Sequence, residues 1–160
     1  CGCCASGTII NKAGGNTNEH ETVAYARDHQ LCTAEGFTSP NSWVGILNGA
    51  GIKASDCSGS SLESLAEKVE NGQGVIIGVS ACTYSPEIYG RYFPGKADGH
   101  AIVLESVIRD ASSGEIVEYV VSDSNAFSSA SAARGVPKKV LEKAFGRRGR
   151  LAVSTDEIIW

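Results

Sequence analysis

A chain of 160 residues is long enough to bury a substantial core, and it is expected to form one domain over 1–160. Its 42% hydrophobic and 20% charged residues match an ordinary globular chain, and no apolar run reaches the roughly 20 residues that a membrane-spanning helix needs. The formal net charge of −4 disfavours nucleic acid as a partner, because phosphate binding calls for a basic face.

The one basic cluster, "GRRGR" at 146–150, reads as a solvated surface patch after a helix. The sequence carries no signal-peptide pattern. Methionine is absent, which suggests a fragment or a processed form.

In chain order, "CCASGTIINKAGG" predicts a short helix that begins just after Cys1 and ends at Gly14-Gly15. "NTNEHETVAYARDHQ" predicts a second helix, capped by Thr17 or Asn18, with Glu19 and Glu21 favourably placed in the first turn. His20 and His29 lie on this polar segment without helical pairing distance between them, and read as solvent-exposed. "TSPNSWVGILNGAG" predicts a third helix, with Ser39 as cap, Pro40 as first residue and Gly49 or Gly51 as stop. Trp43, Ile46 and Leu47 fall at core spacing. "SSLESLAEKVENG" predicts a fourth, with Ser60 and Glu63 as a capping box and Leu62, Leu65, Ala66 and Val69 as its buried stripe.

The pattern then changes. "GVIIGVSA" is a short β-branched apolar run, hence a buried strand. Residues 82–99, rich in turn residues and tyrosine, read as a long loop. "HAIVLESVIRD" and "EIVEYVVSD" predict two strands joined by a turn at 111–114. A helix from Pro137 to Gly146 and a last strand, "RLAVST", complete the chain. Helices first, then an antiparallel sheet with one late helix, mark an α+β fold.

Six cysteines, three of them within the first four residues, invite disulfides or zinc. A zinc site wants a second ligand pair at recognisable spacing, and the sequence has none, so no metal and no cofactor are expected. Nucleophilic chemistry fits better. A helix N-terminus and a neighbouring imidazolium both favour a thiolate, and Cys1 immediately precedes the first helix. Cys3 and Cys4 point to other faces and read as packing residues. Of the three histidines, His100 stands apart: it starts a strongly apolar strand directly after Asp98-Gly99. A hairpin turn at 111–114 brings His100 opposite, or nearly opposite, Asp123 at the end of the partner strand. An acceptor there would orient the imidazole, giving a Cys–His–Asp arrangement. Asn125, with the same side-chain parity as Asp123, is a rival for that role.

These pieces together resemble a family: "CG" opening a helix, "TSP" with a helix ending "LNGAGI", "SLESLAEKVENGQGVIIGV", and "GHAIVLESVIRDASSGEIVEYVVSDS". The pattern resembles papain-like cysteine peptidases related to double-glycine leader peptidases. It is most similar to the branch that forms C-terminal toxin domains of bacterial contact-dependent inhibition and Rhs-type proteins. The resemblance implies a papain-like fold, with Cys1 as nucleophile, His100 as general base and acid, and Asp123 as the orienting acid. The family's oxyanion-hole glutamine lies several residues before its cysteine. The N–H groups after Cys1 would supply part of that hole. Also implied are a protein or peptide substrate, a cognate immunity protein, and delivery within a larger secreted or cell-surface protein to a target-cell cytoplasm. Peptide hydrolysis, deamidation and transglutamination share this chemistry and stay open. So do a non-catalytic binding module and an RNA-targeting toxin on the same scaffold. Tyr84, Tyr89, Tyr92 and Phe93, in the segment leading to His100, are candidates to wall a substrate groove.

Overall fold

The structure is a computed structural model that describes residues 1–90, 98–123 and 133–160. Its helices and strands are α1 (Gly2–Lys12), α2 (Glu19–Asp28), α3 (Pro40–Gly49), β1 (Ala54–Asp56), α4 (Leu62–Glu70), β2 (Gln73–Ser80), α5 (Ala81–Tyr84), α6 (Pro86–Tyr89), β3 (Gly99–Arg109), β4 (Ile116–Ser122), β5 (Ala133–Pro137), α7 (Lys138–Arg147) and β6 (Ala152–Ile158). The strands form one antiparallel sheet in the order β1-β6-β2-β3-β4-β5. The α+β architecture expected from the sequence is present.

Both faces of this sheet are covered, which explains why β2 reads as an almost continuous apolar run rather than an alternating one. Val75, Ile77 and Val79 of β2 join Ile102 and Leu104 of β3 in a core shared with α4 and α7. Ile76, Ala101 and Val103 point the other way, into a core with Ile9 and Ile10 of α1 and Trp43, Ile46 and Leu47 of α3. Successive side chains of a strand alternate faces, so one strand feeds two cores. His100 shares parity with Ile102 and so belongs to the α4/α7 face. Helix α1 lies on the opposite face.

Helix ends follow their local chemistry. Asn18 caps α2, accepting from the Glu21 N–H at 2.9 Å. Ser39 caps α3, with Ser42 returning a bond to the Ser39 N–H at 3.1 Å. Four expectations need correction. The cap of α4 is Ser61, which accepts from the Ser64 N–H at 3.2 Å, not a Ser60–Glu63 box. Ser60 instead donates to the Cys57 carbonyl. Helix α7 runs through Gly146 to Arg147, with Pro137 as its cap. The expected loop at 82–99 contains two short helices, each started by a serine at the cap position, Ser80 for α5 and Ser85 for α6. Strand β1 precedes α4, so helices and strands are less segregated than the sequence suggests; three residues pairing with β6 give too short a pattern to read.

Candidate active site

The cleft forms where the two faces meet, at the end of the sheet between β2 and β3. Cys1 is the exposed N-cap of α1, and the Ala5 N–H donates to its carbonyl at 2.8 Å. Its side chain makes no capping bond, so the sulfur is not tied to the first-turn N–H groups. Cys1 and His100 line one cleft of about 510 Å³, together with the loop around Glu35–Thr38, Trp43, Gly78, Tyr89, Gly99, Arg148 and Leu151.

Gly2 explains why the cysteine is followed by glycine. Trp43 donates its indole N–H to Thr38 Oγ1 at 2.9 Å, across the first turn of α1. A Cβ on Gly2 would stand 2.0 Å from that oxygen and 2.3 Å from the indole nitrogen. Only a residue without a side chain lets the tip of α1 seat against α3, and that seating carries Cys1 into the cleft.

On the sheet side, His100 and Asp123 are almost fully buried, at 6% and 1% exposure. Asp123 Oδ1 lies 2.8 Å from His100 Nε2. The β3–β4 register pairs Val103 with Ser122, so continuing it sets Asp123 opposite Ile102, diagonal to His100 on the same face. With its N–H at Nε2 given to Asp123, His100 keeps a lone pair on Nδ1, which has no hydrogen-bond partner among the described residues. Asn125 lies outside the described residues.

A further side chain completes this end. The Tyr89 phenol donates to Asp123 Oδ2 at 2.7 Å, and its oxygen lies 3.0 Å from His100 Nε2. Both carboxylate oxygens of a buried acid are thereby engaged, which a buried charge requires. Tyr84 is buried beside them, with the Arg134 guanidinium 5.2 Å from its ring centre. Burial, then the nearby Asp123 charge, pushes the Tyr84 phenol far above its ordinary range. Tyr84 is therefore core rather than groove wall. Tyr89 does line the cleft, while Tyr92 and Phe93 lie outside the described residues. Sequence reading placed Tyr89 on the wall but missed its bond to Asp123. The available signal was Ser85-Pro86, a cap and first-turn proline that start the helix carrying Tyr89.

Asp98 holds the segment before His100. Its Oδ2 accepts from Ser80 Oγ at 2.6 Å and from the Cys82 N–H at 2.8 Å, tying the start of β3 to the end of β2. Burial pushes the Asp98 carboxyl up, but these hydrogen bonds outweigh it and hold the group below its ordinary range. The other thiols are placed differently from Cys1. Cys3 is buried in the α1 core, and burial pushes its thiol up; burial does the same at Cys57 and Cys82. Among the described residues, no three His, Cys, Asp or Glu side chains converge to hold a metal ion.

No protein-family model matches the chain, and no curated protein sequence matches it. Among solved structures, a Bacillus anthracis protein provisionally described as a C39-like peptidase superposes on 98% of this chain and 88% of its own, with a TM-score of 0.69 at 18% identity. The chain has a papain-like peptidase fold. In this papain-like fold the helix start carrying Cys1 and the strand carrying His100 border a single cleft. The helices of the described residues include none long and apolar enough to cross a membrane.

Proposed function

We propose that the protein is a cysteine-dependent acyl-transfer enzyme of peptidase type. The observation that carries this reading is the buried His100–Asp123 pair, whose ring borders the same cleft as an exposed cysteine at a helix start. In the first step the Cys1 sulfur attacks an acyl carbon while its proton passes to His100 Nδ1. The carbonyl electrons move to oxygen, and first-turn N–H groups of α1 stabilise the oxyanion. Collapse restores the carbonyl and breaks the bond to the leaving amine, which takes the proton from His100. The resulting thioester is attacked by water, deprotonated by His100, and releases the acid and the free thiol. Asp123 and Tyr89 act through His100: they fix its tautomer and stabilise the imidazolium. With a glutamine side chain as acyl donor the first leaving group is ammonia, and water as acceptor would then give deamidation and an amine transglutamination.

The sequence resemblance to polymorphic-toxin domains extends this proposal to context. In that reading the domain is delivered within a larger secreted or surface protein, acts on a protein in the target-cell cytoplasm, and is neutralised by a cognate immunity protein. The test is expression of the wild type, Cys1→Ala and His100→Ala in bacteria, with mass analysis of cell proteins and of RNA. Growth inhibition and altered protein products should depend on both residues. Full inhibition by Cys1→Ala, or RNA cleavage without altered protein, would reject the acyl-transfer reading.

A further inference from the structure

The basic cluster at 146–150 does not behave as a uniform surface patch. Arg147 turns outward and donates to Thr83 Oγ1 at 2.9 Å. Arg148 instead lines the cleft with Cys1 and His100. Its guanidinium lies over the backbone of Gly99, the residue before His100. A Cβ there would stand 2.8, 3.1 and 3.2 Å from Nη2, Cζ and Nε. Three nearly equal distances mean that the guanidinium plane covers the glycine, and any side chain at 99 would push it out.

Among the described residues, the Arg148 guanidinium has no hydrogen-bond acceptor and no ion-pair partner. Asp98, the neighbour of Gly99, directs its Oδ2 to Ser80 and the Cys82 N–H and forms no ion pair with Arg148. Among the described residues, the other charged side chain lining the cleft is Glu35, which is exposed in the loop before α3. The cleft lining thus carries a cation beside Gly99 of the sheet and an anion in the loop before α3. An arginine presents a fixed fork of donors that suits a carboxylate, and here the fork has no acceptor among the described residues.

We propose that Arg148 is the specificity-determining residue of the cleft and that the substrate carries an acidic side chain at or beside the residue whose acyl group Cys1 attacks. This rests on the acyl-transfer reading of the same site.

The experiment measures alkylation of Cys1 by anionic iodoacetate and neutral iodoacetamide, with labelled peptides quantified by mass spectrometry. The readout is the ratio of the two rate constants, which cancels any change in thiol reactivity. Arg148→Gln should lower the iodoacetate preference about threefold or more at low salt, and Arg148→Glu further. In the wild type the preference should shrink toward that of Arg148→Gln at 0.5 M salt, as screening predicts. Arg147→Gln, with the same change in net charge, should leave the ratio unchanged. An unchanged ratio in Arg148→Gln, or an equal fall in Arg147→Gln, overturns the proposal. The acyl-transfer reading is scored separately: His100→Ala should slow both reagents at Cys1, and failure to do so counts against that reading alone.

Discussion

The two ends of the cleft are built on opposite principles. The sheet end is closed: His100, Tyr89 and Asp123 are buried and hydrogen-bonded to one another. The helix end is open, with Cys1 exposed at the tip of α1 and its side chain not used in capping. At the closed end the groups proposed for chemistry also hold the fold, because removing one strands its partners away from water. At the open end the proposed nucleophile, the Cys1 sulfur, is exposed, and the seating of its helix depends on the glycine behind it. Chemistry and stability should therefore separate at one end and not at the other.

The largest effect should come from breaking the closed end. Asp123→Ala removes the buried carboxylate that accepts from both His100 and Tyr89. It should cost about 3–5 kcal/mol in urea unfolding and lower turnover about 10³-fold or more. Cys1→Ser is the matched change at the open end. It should abolish thioester formation yet unfold within about 0.5 kcal/mol of the wild type. Equal destabilisation by the two would remove the distinction.

Gly2→Ala probes what holds the open end. Alanine ordinarily favours a helix by about 1 kcal/mol over glycine. Here its methyl meets Thr38 Oγ1 and the Trp43 indole, so the variant should instead be less stable by about 1–3 kcal/mol. Trp43 fluorescence should shift and Cys1 labelling should slow.

A smaller effect is expected at Asp98, on the link between β2 and β3. Its folded pKa lies below the unfolded one, so its stabilisation is complete above the unfolded value of about 3.9 and is lost as pH falls through the folded value. Asp98→Asn should therefore be less stable than wild type by about 1–2 kcal/mol between pH 5 and 8, with the gap closing in stronger acid. A gap that widened on acidification would contradict the assigned hydrogen bonds.

The smallest effect has the opposite sign. The Tyr119 hydroxyl, on the α4/α7 face far along β4, is buried with no hydrogen-bond partner among the described residues. Burial, then the charges of Glu142 and Glu63, pushes its phenol up to about 12. Tyr119→Phe removes a polar atom that gains nothing from burial. It should raise stability by about 1 kcal/mol, read as a modest increase in Tm.

Wherever a local rule was sufficient, the sequence alone determined the outcome. The caps at Asn18 and Ser39, the apolar stripe of α4 and the β3–β4 hairpin all depend on residues a few positions apart. The hairpin in turn made the nearness of His100 and Asp123 legible, since a turn fixes which strand ends meet. The start of α1 at Gly2 was equally local. Tertiary structure decided what required distant groups to meet. Tyr89 reaches Asp123 across 34 positions, and Gly2 is required by Thr38 and Trp43 of another element. Arg148 sits in the cleft because α7 returns the chain to β6 beside β2, although its sequence context reads as solvated surface. Short helices and the three-residue β1 fall below the length at which periodicity speaks. Side chains that meet across elements leave no periodic trace, because their spacing is set by the packing of the two faces of the sheet rather than by the repeat of any one helix or strand.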